Sequence, residues 1–165
     1  MKTILKLSLC ALFLFSLSCS EDIENSITED NSASLERKSN NFNVNFQHKK
    51  TISVEGASTE IAAFDNKNNK LFVIDAESDK ILVWDISDLD SPDPLSSIDI
   101  SPGAPNSVSV SKGMLAVAIE DENKQMPGKI KVYDTNSMSE IASYTVGALP
   151  DMVTFSPNGK YIVSA

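Results

Sequence analysis

The sequence GASTEIAAF at residues 56–64 returns as GALPDMVTF at residues 147–155 and, one residue shorter, as GAPNSVSV at residues 103–110. In each copy Gly-Ala precedes a short apolar or β-branched run, a pattern that is typical of a turn leading into a strand. The first glycines of the copies, Gly56, Gly103 and Gly147, are 47 and 44 residues apart. A period of about 45 residues indicates a repeated supersecondary unit.

The residues that follow each copy keep the same order of strands and turns. Second strands are predicted at residues 71–74 (LFVI), 115–118 (LAVA) and 161–163 (YIV), and third strands at residues 81–85 (ILVWD) and 130–134 (IKVYD). Weaker fourth strands run through residues 95–100 and 141–146. Four antiparallel strands in about 45 residues are typical of a β-propeller blade. The predicted fold class is therefore all-β, with residues 51–165 forming about two and a half blades.

Two aromatic residues occupy equivalent places in the third strands. Trp84 and Tyr133 are each followed by an aspartate. We interpret the aromatic residues as packing residues between blades and the aspartates as turn formers. Together with Gly56, Gly103 and Gly147 they form the predicted structural framework of the repeat.

The sequence TISV at residues 51–54 precedes the first repeat without inner strands of its own. Its place in the repeat predicts a rim strand that pairs with the last blade of a closed ring and removes a sheet edge. Because closure requires roughly four to eight blades, this interpretation makes residues 51–165 the N-terminal part of a longer propeller.

The N-terminus has the features of an export signal. Residues 1–18 combine Lys2 and Lys6 with an apolar stretch that is too short for a spanning helix. The end of this stretch resembles a bacterial lipoprotein cleavage box, which implies lipidation of Cys19 and a membrane anchor there; ordinary signal cleavage is the alternative. Residues 19–50 then form a polar, acidic tether. Its start, SEDIE at residues 20–24, resembles the acidic tags by which some Gram-negative bacteria direct lipoproteins to the outer membrane surface.

Composition excludes several classes of function. With 14 Lys and Arg against 23 Asp and Glu, the 165-residue chain has a formal net charge of -9, which argues against nucleic acid as a partner. His48 is the only histidine in the sequence and lies beside two lysines. A single histidine in that setting excludes a Ser-His-Asp triad and a histidine-based zinc site.

Several of these motifs together resemble the choice-of-anchor I family. They are LFVI at residues 71–74, VWDIS at 83–87, PNSV at 105–108, PGK at 127–129 and VGALPDMVTF at 146–155. The resemblance covers roughly residues 52–165 and implies a secreted or surface propeller of seven blades, related to YVTN and surface-layer repeat proteins. Some members of the family are labelled alkaline phosphatase or are joined to phytase-like domains.

Acidic and amide side chains mark one predicted face of the ring. Glu60, Asn106 and Asp151 come just before the inner strands, and Glu120 follows a second strand, so the antiparallel order brings all four to the same face. Oxygen ligands of this kind suit calcium, and we therefore predict a Ca²⁺ site here. Simple solvation of acidic loops is the alternative.

The sequence favours a non-enzymatic, surface-exposed lipoprotein whose propeller binds an extracellular protein, a glycan or an ion. The alternative is a Ca²⁺-dependent phosphoesterase of the alkaline phosphatase or phytase type, in which metal ions on the acidic face would neutralise the substrate phosphate. A truncated gene product without function is a third interpretation. No catalytic residue is assigned in any of them.

Overall fold

The computed structural model describes residues 46–165; the predicted signal peptide, Cys19 and most of the predicted tether lie outside this range. Within the described residues the chain forms strands and no helix. The first sheet contains β1 (Thr59–Asp65), β2 (Lys70–Asp75), β3 (Lys80–Asp85) and β4 (Asp93–Asp99). The second contains β5 (Ala104–Ser111), β6 (Met114–Glu120), β7 (Pro127–Asp134) and β8 (Glu140–Ala148). A two-stranded sheet follows, made of β9 (Val153–Phe155) and β10 (Ile162–Ser164).

Each four-stranded sheet is an antiparallel meander in which neighbours in sequence are neighbours in space. This architecture confirms the predicted part of a β-propeller. We call β1–β4 blade 1, β5–β8 blade 2 and β9–β10 half-blade 3. The apolar runs predicted the positions of the inner strands closely. Only β6, which lies between two sheets, is buried on both faces, as its continuous hydrophobic sequence indicates, whereas β1 is largely exposed.

The inner strands of both complete blades carry a bulge at equivalent places. In blade 1, Thr59 pairs with Asp75 and Ala62 with Val73, so that Glu60 and Ile61 stand opposite one residue of β2. In blade 2 the extra residue is Asn106, between the pairs formed by Pro105 and Ser107. A bulge re-aims the side chains beside it. Two of the four predicted calcium ligands therefore lie where the ladder is irregular.

The blades pack face to face, and the core lies between them. The first interface, between blades 1 and 2, buries a continuous apolar cluster that contains Phe72, Ile74, Ile81, Val83 and Ile98 from blade 1 and Val108, Leu115, Val117, Ile119 and Tyr133 from blade 2. The second interface, between blade 2 and half-blade 3, buries a smaller cluster of Ala116, Ala118, Ile130 and Val153, with Val146, Phe155 and Ile162 packed against it. Since buried apolar area stabilises by about 25 cal/mol per Å², the first interface carries more of the hydrophobic stabilisation.

A buried polar network also joins blades 1 and 2. The carboxylate of Asp65, which is fully buried, accepts hydrogen bonds from the Thr135 hydroxyl, from Asn68 Nδ2 at 3.0 Å and from the Lys67 backbone at 3.0 Å. Lys70 Nζ donates to the Thr135 carbonyl at 2.9 Å. Burial raises the pKa of Asp65, but the hydrogen bonds from Thr135, Lys67 and Asn68 outweigh burial and hold the pKa below its usual value.

Residues 51–54 form no strand among the described residues, and their pairing with the last blade of a closed ring stays a prediction. A strand requires a paired neighbour, and no described residue pairs with this segment. Ile52 and Val54 instead line a cavity of about 140 Å³ on the outer face of blade 1, together with Leu71, Leu82 and Trp84.

The structure also bears on membrane insertion. Residues 46–165 contain no helix with the length and apolarity required to cross a bilayer.

Candidate functional site

One face of the propeller carries the residues that the sequence marked. The loops that follow the second strands and precede the first strands lie at the same end of the blades, because neighbouring strands are antiparallel. We call this surface the loop face; it comprises residues 55–58, 76–79, 100–103, 121–126 and 149–152 and the strand ends next to them, which include Glu60, Asp75, Asn106 and Glu120. The opposite surface, with the tight turns at residues 66–69, 112–113 and 156–161, is the turn face.

In blade 1 two loops of the loop face are held together by Asp75, at the end of β2. Its carboxylate accepts hydrogen bonds from the backbone of Ser58 at 3.0 Å and Glu77 at 3.2 Å and from the Ser78 hydroxyl. The bond from Ser78 is the main cause that lowers the pKa of Asp75, and it outweighs the opposing effect of burial. Asp75 is 5% exposed, so its role is to fasten two loops together.

Between blade 2 and half-blade 3 the loop face is fastened by Asn106. Its Nδ2 donates to Glu120 Oε2 at 3.2 Å and to the Pro150 carbonyl at 3.1 Å. The other carboxylate oxygen of Glu120 forms an ion pair with Lys124 at 3.1 Å. One amide group therefore connects the end of β6 with the loop that enters half-blade 3.

Two glycines allow the backbone to approach closely on the loop face, Gly103 within blade 2 and Gly128 where blade 2 meets half-blade 3. A Cβ atom at Gly103, where φ is +110°, would lie 2.5 Å from the Glu120 carbonyl oxygen. At Gly128 it would lie 2.5 Å from Pro150 Cδ and 2.6 Å from the Ile119 carbonyl oxygen. Any larger side chain would push the neighbouring segments apart, so the close contact within blade 2 depends on Gly103 and the junction with half-blade 3 depends on Gly128.

The structure brings together two of the four predicted calcium ligands. Asn106 and Glu120 are in contact and half-buried, whereas Glu60 and Asp151 are exposed on the same face. The amide nitrogen of Asn106 points toward Glu120, and Lys124 already neutralises that carboxylate. Among residues 46–165 no three acidic, histidine or cysteine side chains are grouped closely enough to hold a metal ion. Calcium binding at these four residues stays a prediction.

The predicted framework residues fall into different surroundings. Tyr133 is 4% exposed and lies in the core of the first interface, where burial, with Glu140 nearby, raises its pKa to about 12. Trp84, at the equivalent position, lines the cavity on the outer face of blade 1. Gly56 and Gly103 have positive φ angles, whereas Gly147 lies within β8 and the positive φ falls on Leu149.

Sequence reasoning missed the serines that hold the second interface. Ser107 Oγ accepts a hydrogen bond from the Val153 backbone at 3.1 Å, and Ser109 Oγ accepts one from Phe155 at 3.3 Å. Both serines alternate with valines along β5. That alternation is the signal that could have revealed them, because it puts two hydroxyl groups on one face of a buried strand.

Comparison with known proteins supports the fold. The chain is similar to the hydrazine synthase of Kuenenia stuttgartiensis, with 28% identity and a TM-score of 0.53 over 64% of this chain and 29% of that chain. It also resembles a chain of the nidogen/laminin complex, with 21% identity and a TM-score of 0.50 over 66% of this chain and 40% of that chain. The chain thus spans less than half the length of either structure. No functionally curated protein matches its sequence significantly.

Residues 60–165 match the choice-of-anchor I domain, a stretch that runs from the start of β1 through half-blade 3. The match contains both complete blades, the Asn106 junction and the GALPDMVTF copy of the repeat. Together with the propeller fold, the match indicates a surface-associated domain. This chain therefore belongs to the choice-of-anchor I family.

Proposed function

We propose that the chain is a surface-exposed lipoprotein module, anchored through a lipid at Cys19, whose loop face binds an extracellular protein without catalysing a reaction. The observation that carries the proposal is the fastening of the loop face by Asn106, which connects Glu120 with Pro150 across the second interface. A surface whose loops are held by the scaffold loses little conformational freedom when it binds a partner.

The charge of the loop face indicates the chemistry of that partner. Glu60, Glu77, Glu122 and Asp151 are exposed there, in a chain whose formal net charge is -9. A surface of this sign attracts basic protein surfaces and repels anionic polymers. We therefore expect a partner protein with a lysine- or arginine-rich patch.

The test uses the full chain as bait for surface and extracellular proteins. We expect Glu60→Lys with Asp151→Lys to abolish capture of a specific partner, because both changes reverse charge on the loop face. The matched control is Asp88→Lys with Asp90→Lys, which makes the same charge change in the exposed loop between β3 and β4, near the turn face. Equal capture by both double variants would contradict the proposal.

Anchoring is tested separately. In a Gram-negative host, labelled palmitate should be incorporated into the wild-type chain and not into Cys19→Ser, and only the wild-type chain should sediment with membranes. Surface exposure should then make the anchored chain accessible to protease added to intact cells. Sedimentation of Cys19→Ser with membranes would show that another feature holds the chain there.

A further inference from the structure

Two large apolar side chains are exposed on the loop face where blade 2 meets half-blade 3. Met126 ends the loop after β6 and is 50% exposed, and Leu149 begins the loop after β8 and is 46% exposed. They adjoin Pro127 and Ala148, which form the last residue pair of the β7–β8 ladder. The ladder therefore brings both to one point of the loop face. We call Met126 and Leu149 the apolar pair.

The backbone of Leu149 is in a conformation that leucine rarely adopts. Its φ is +51°, in the left-handed region, where a Cβ atom comes too close to the neighbouring carbonyl oxygen and glycine or asparagine is favoured. Burial does not offset this strain, because the side chain is nearly half exposed. Residues held in such conformations cluster at ligand-binding sites. The backbone of Leu149 thus points to a role other than packing.

The equivalent position in blade 1 is exposed with its neighbouring loop in place. The aligned copies of the repeat match Leu149 with Ser58. In blade 1 the backbone N–H of Ala76, the first residue after β2, donates to the Ser58 carbonyl at 2.9 Å, and Ser58 is still exposed. This position therefore faces outward even where the loop that follows the second strand is present.

Both members of the apolar pair are held by the scaffold. The Met126 backbone N–H donates to the Asn123 carbonyl at 2.7 Å. The Pro150 carbonyl, directly after Leu149, accepts a hydrogen bond from Asn106 Nδ2 at 3.1 Å. A surface that is ordered before it binds loses little conformational entropy on binding. The apolar pair is therefore suited to make a specific contact.

Acidic side chains flank the apolar pair in both loops. Asp121 and Glu122 lie in the first loop, and Asp151 lies in the second. Lys124 in the first loop forms an ion pair with Glu120 at 3.1 Å. An apolar centre with an acidic rim complements an apolar side chain that lysine or arginine residues flank.

We propose that the apolar pair is the anchor point of the loop face, where the partner protein places an aromatic or aliphatic side chain flanked by basic residues. This inference rests on the proposed function and adds the part of the surface that contributes most of the affinity. The apolar contact excludes water and supplies affinity. The acidic rim selects a basic partner and orients it.

The probe is a fluorescein-labelled peptide with one tryptophan between two short runs of lysine, titrated with the full chain and followed by fluorescence anisotropy. Leu149→Asn removes the apolar side chain and should weaken binding about fivefold, the size expected for one residue of a binding hot spot. Met126→Ser should weaken binding similarly. The matched control is Leu89→Asn, which removes a leucine that is 49% exposed and lies between two aspartates in the loop between β3 and β4. This control should bind like the wild type.

Stability separates a binding role of Leu149 from a packing role. Asparagine tolerates the left-handed conformation, so the midpoint of urea unfolding of Leu149→Asn should not fall below that of the wild type. A lower midpoint would identify Leu149 as a packing residue and overturn the proposal. Equal binding of the peptide to Leu149→Asn and Leu89→Asn would also overturn it.

A second peptide separates this proposal from the proposed function. It carries serine in place of tryptophan, and it should bind more weakly and respond to Glu60→Lys with Asp151→Lys but not to Leu149→Asn. If the charge variant loses both peptides while Leu149→Asn binds them like the wild type, the apolar anchor is overturned and the acidic loop face remains the binding surface. Failure of both peptides to bind the wild type would overturn both proposals.

Discussion

The two interfaces of the molecule join similar sheets by different means. The first combines a large apolar cluster with the buried network of Asp65 and Thr135. The second combines a cluster based on Ala116 and Ala118 with hydrogen bonds from the backbone of half-blade 3 to serine side chains. The difference arises from the strands that each second partner supplies. Blade 2 contributes Tyr133 from its third strand, β7, and Thr135 directly after it, whereas half-blade 3 contributes only the inner strands β9 and β10. The outer part of a blade thus completes the interface with the blade before it.

The largest expected effect is the loss of a large side chain from the first interface. Phe72 is completely buried, and Phe72→Ala should lower the free energy of unfolding by about 4 kcal/mol because it leaves a cavity. Phe155→Ala removes the same atoms from the second interface, where the side chain is half-buried, and should cost about half as much. Urea unfolding of the full chain measures both values, and equal losses would mean that the two interfaces are equally important.

The polar network should produce a smaller difference. Asp65→Asn removes the charge that Thr135 and Asn68 stabilise in a buried setting, and we expect a loss of about 2 kcal/mol in the free energy of unfolding. The control is Ser156→Ala at the equivalent position of half-blade 3, where the hydroxyl bonds only within its own turn. The control should change stability by at most about 0.5 kcal/mol. A larger loss of stability in Ser156→Ala than in Asp65→Asn would contradict the conclusion that the Asp65 network stabilises the first interface.

Ser107 tests the side chains that hold the second interface. Ser107→Ala leaves the buried N–H of Val153 without its acceptor, which should cost about 1 kcal/mol. Hydrogen exchange should show faster exchange at the Val153 amide, while Val108 in the first interface keeps its protection. Unchanged exchange at Val153 would show that the bond from this amide does not hold half-blade 3.

Acid should weaken the first interface more than the second. The pKa of Asp65 is lowered in the folded chain, so its contribution to stability is complete above the unfolded value of about 4 and is lost as the pH falls through the folded pKa. Unfolding measured between neutral pH and about pH 2 should therefore be less pH-dependent in Asp65→Asn than in the wild type. The same acid sensitivity in both would assign the effect to other carboxylates, such as Asp75.

The sequence predicted the strands better than their surroundings. Residues 81–85 and 130–134 were identified as equivalent third strands, and the structure confirms both as β3 and β7. The surroundings of their aromatic residues nevertheless differ, since Tyr133 is buried and Trp84 lines a cavity. Tyr133 packs against blade 1, whereas no described blade packs against the face of blade 1 that carries Trp84. The burial of a side chain depends on the neighbouring sheet, and the sequence pattern within one strand carries no information about that sheet.

The candidate site likewise has features that the sequence predicts and features that only the structure shows. The sequence itself shows that Glu60, Asn106 and Glu120 are acidic or amide residues. The order of strands predicts that they lie on one face. The bulge at Asn106 and its bond to Pro150 could not, because a bulge depends on the register between two strands. The pair of Asp65 and Thr135, which are 70 residues apart, was likewise invisible in a single sequence.

The sequence alone thus determined the repeat, the strand order and the acidic loop face, because turn residues and runs of apolar side chains act locally and leave a period of about 45 residues. Only the tertiary structure decided which side chains are buried, which carboxylates are fastened within the scaffold and which serines hold half-blade 3. These properties arise when sheets stack, since stacking brings together side chains from different repeats and fills or leaves open the space between them.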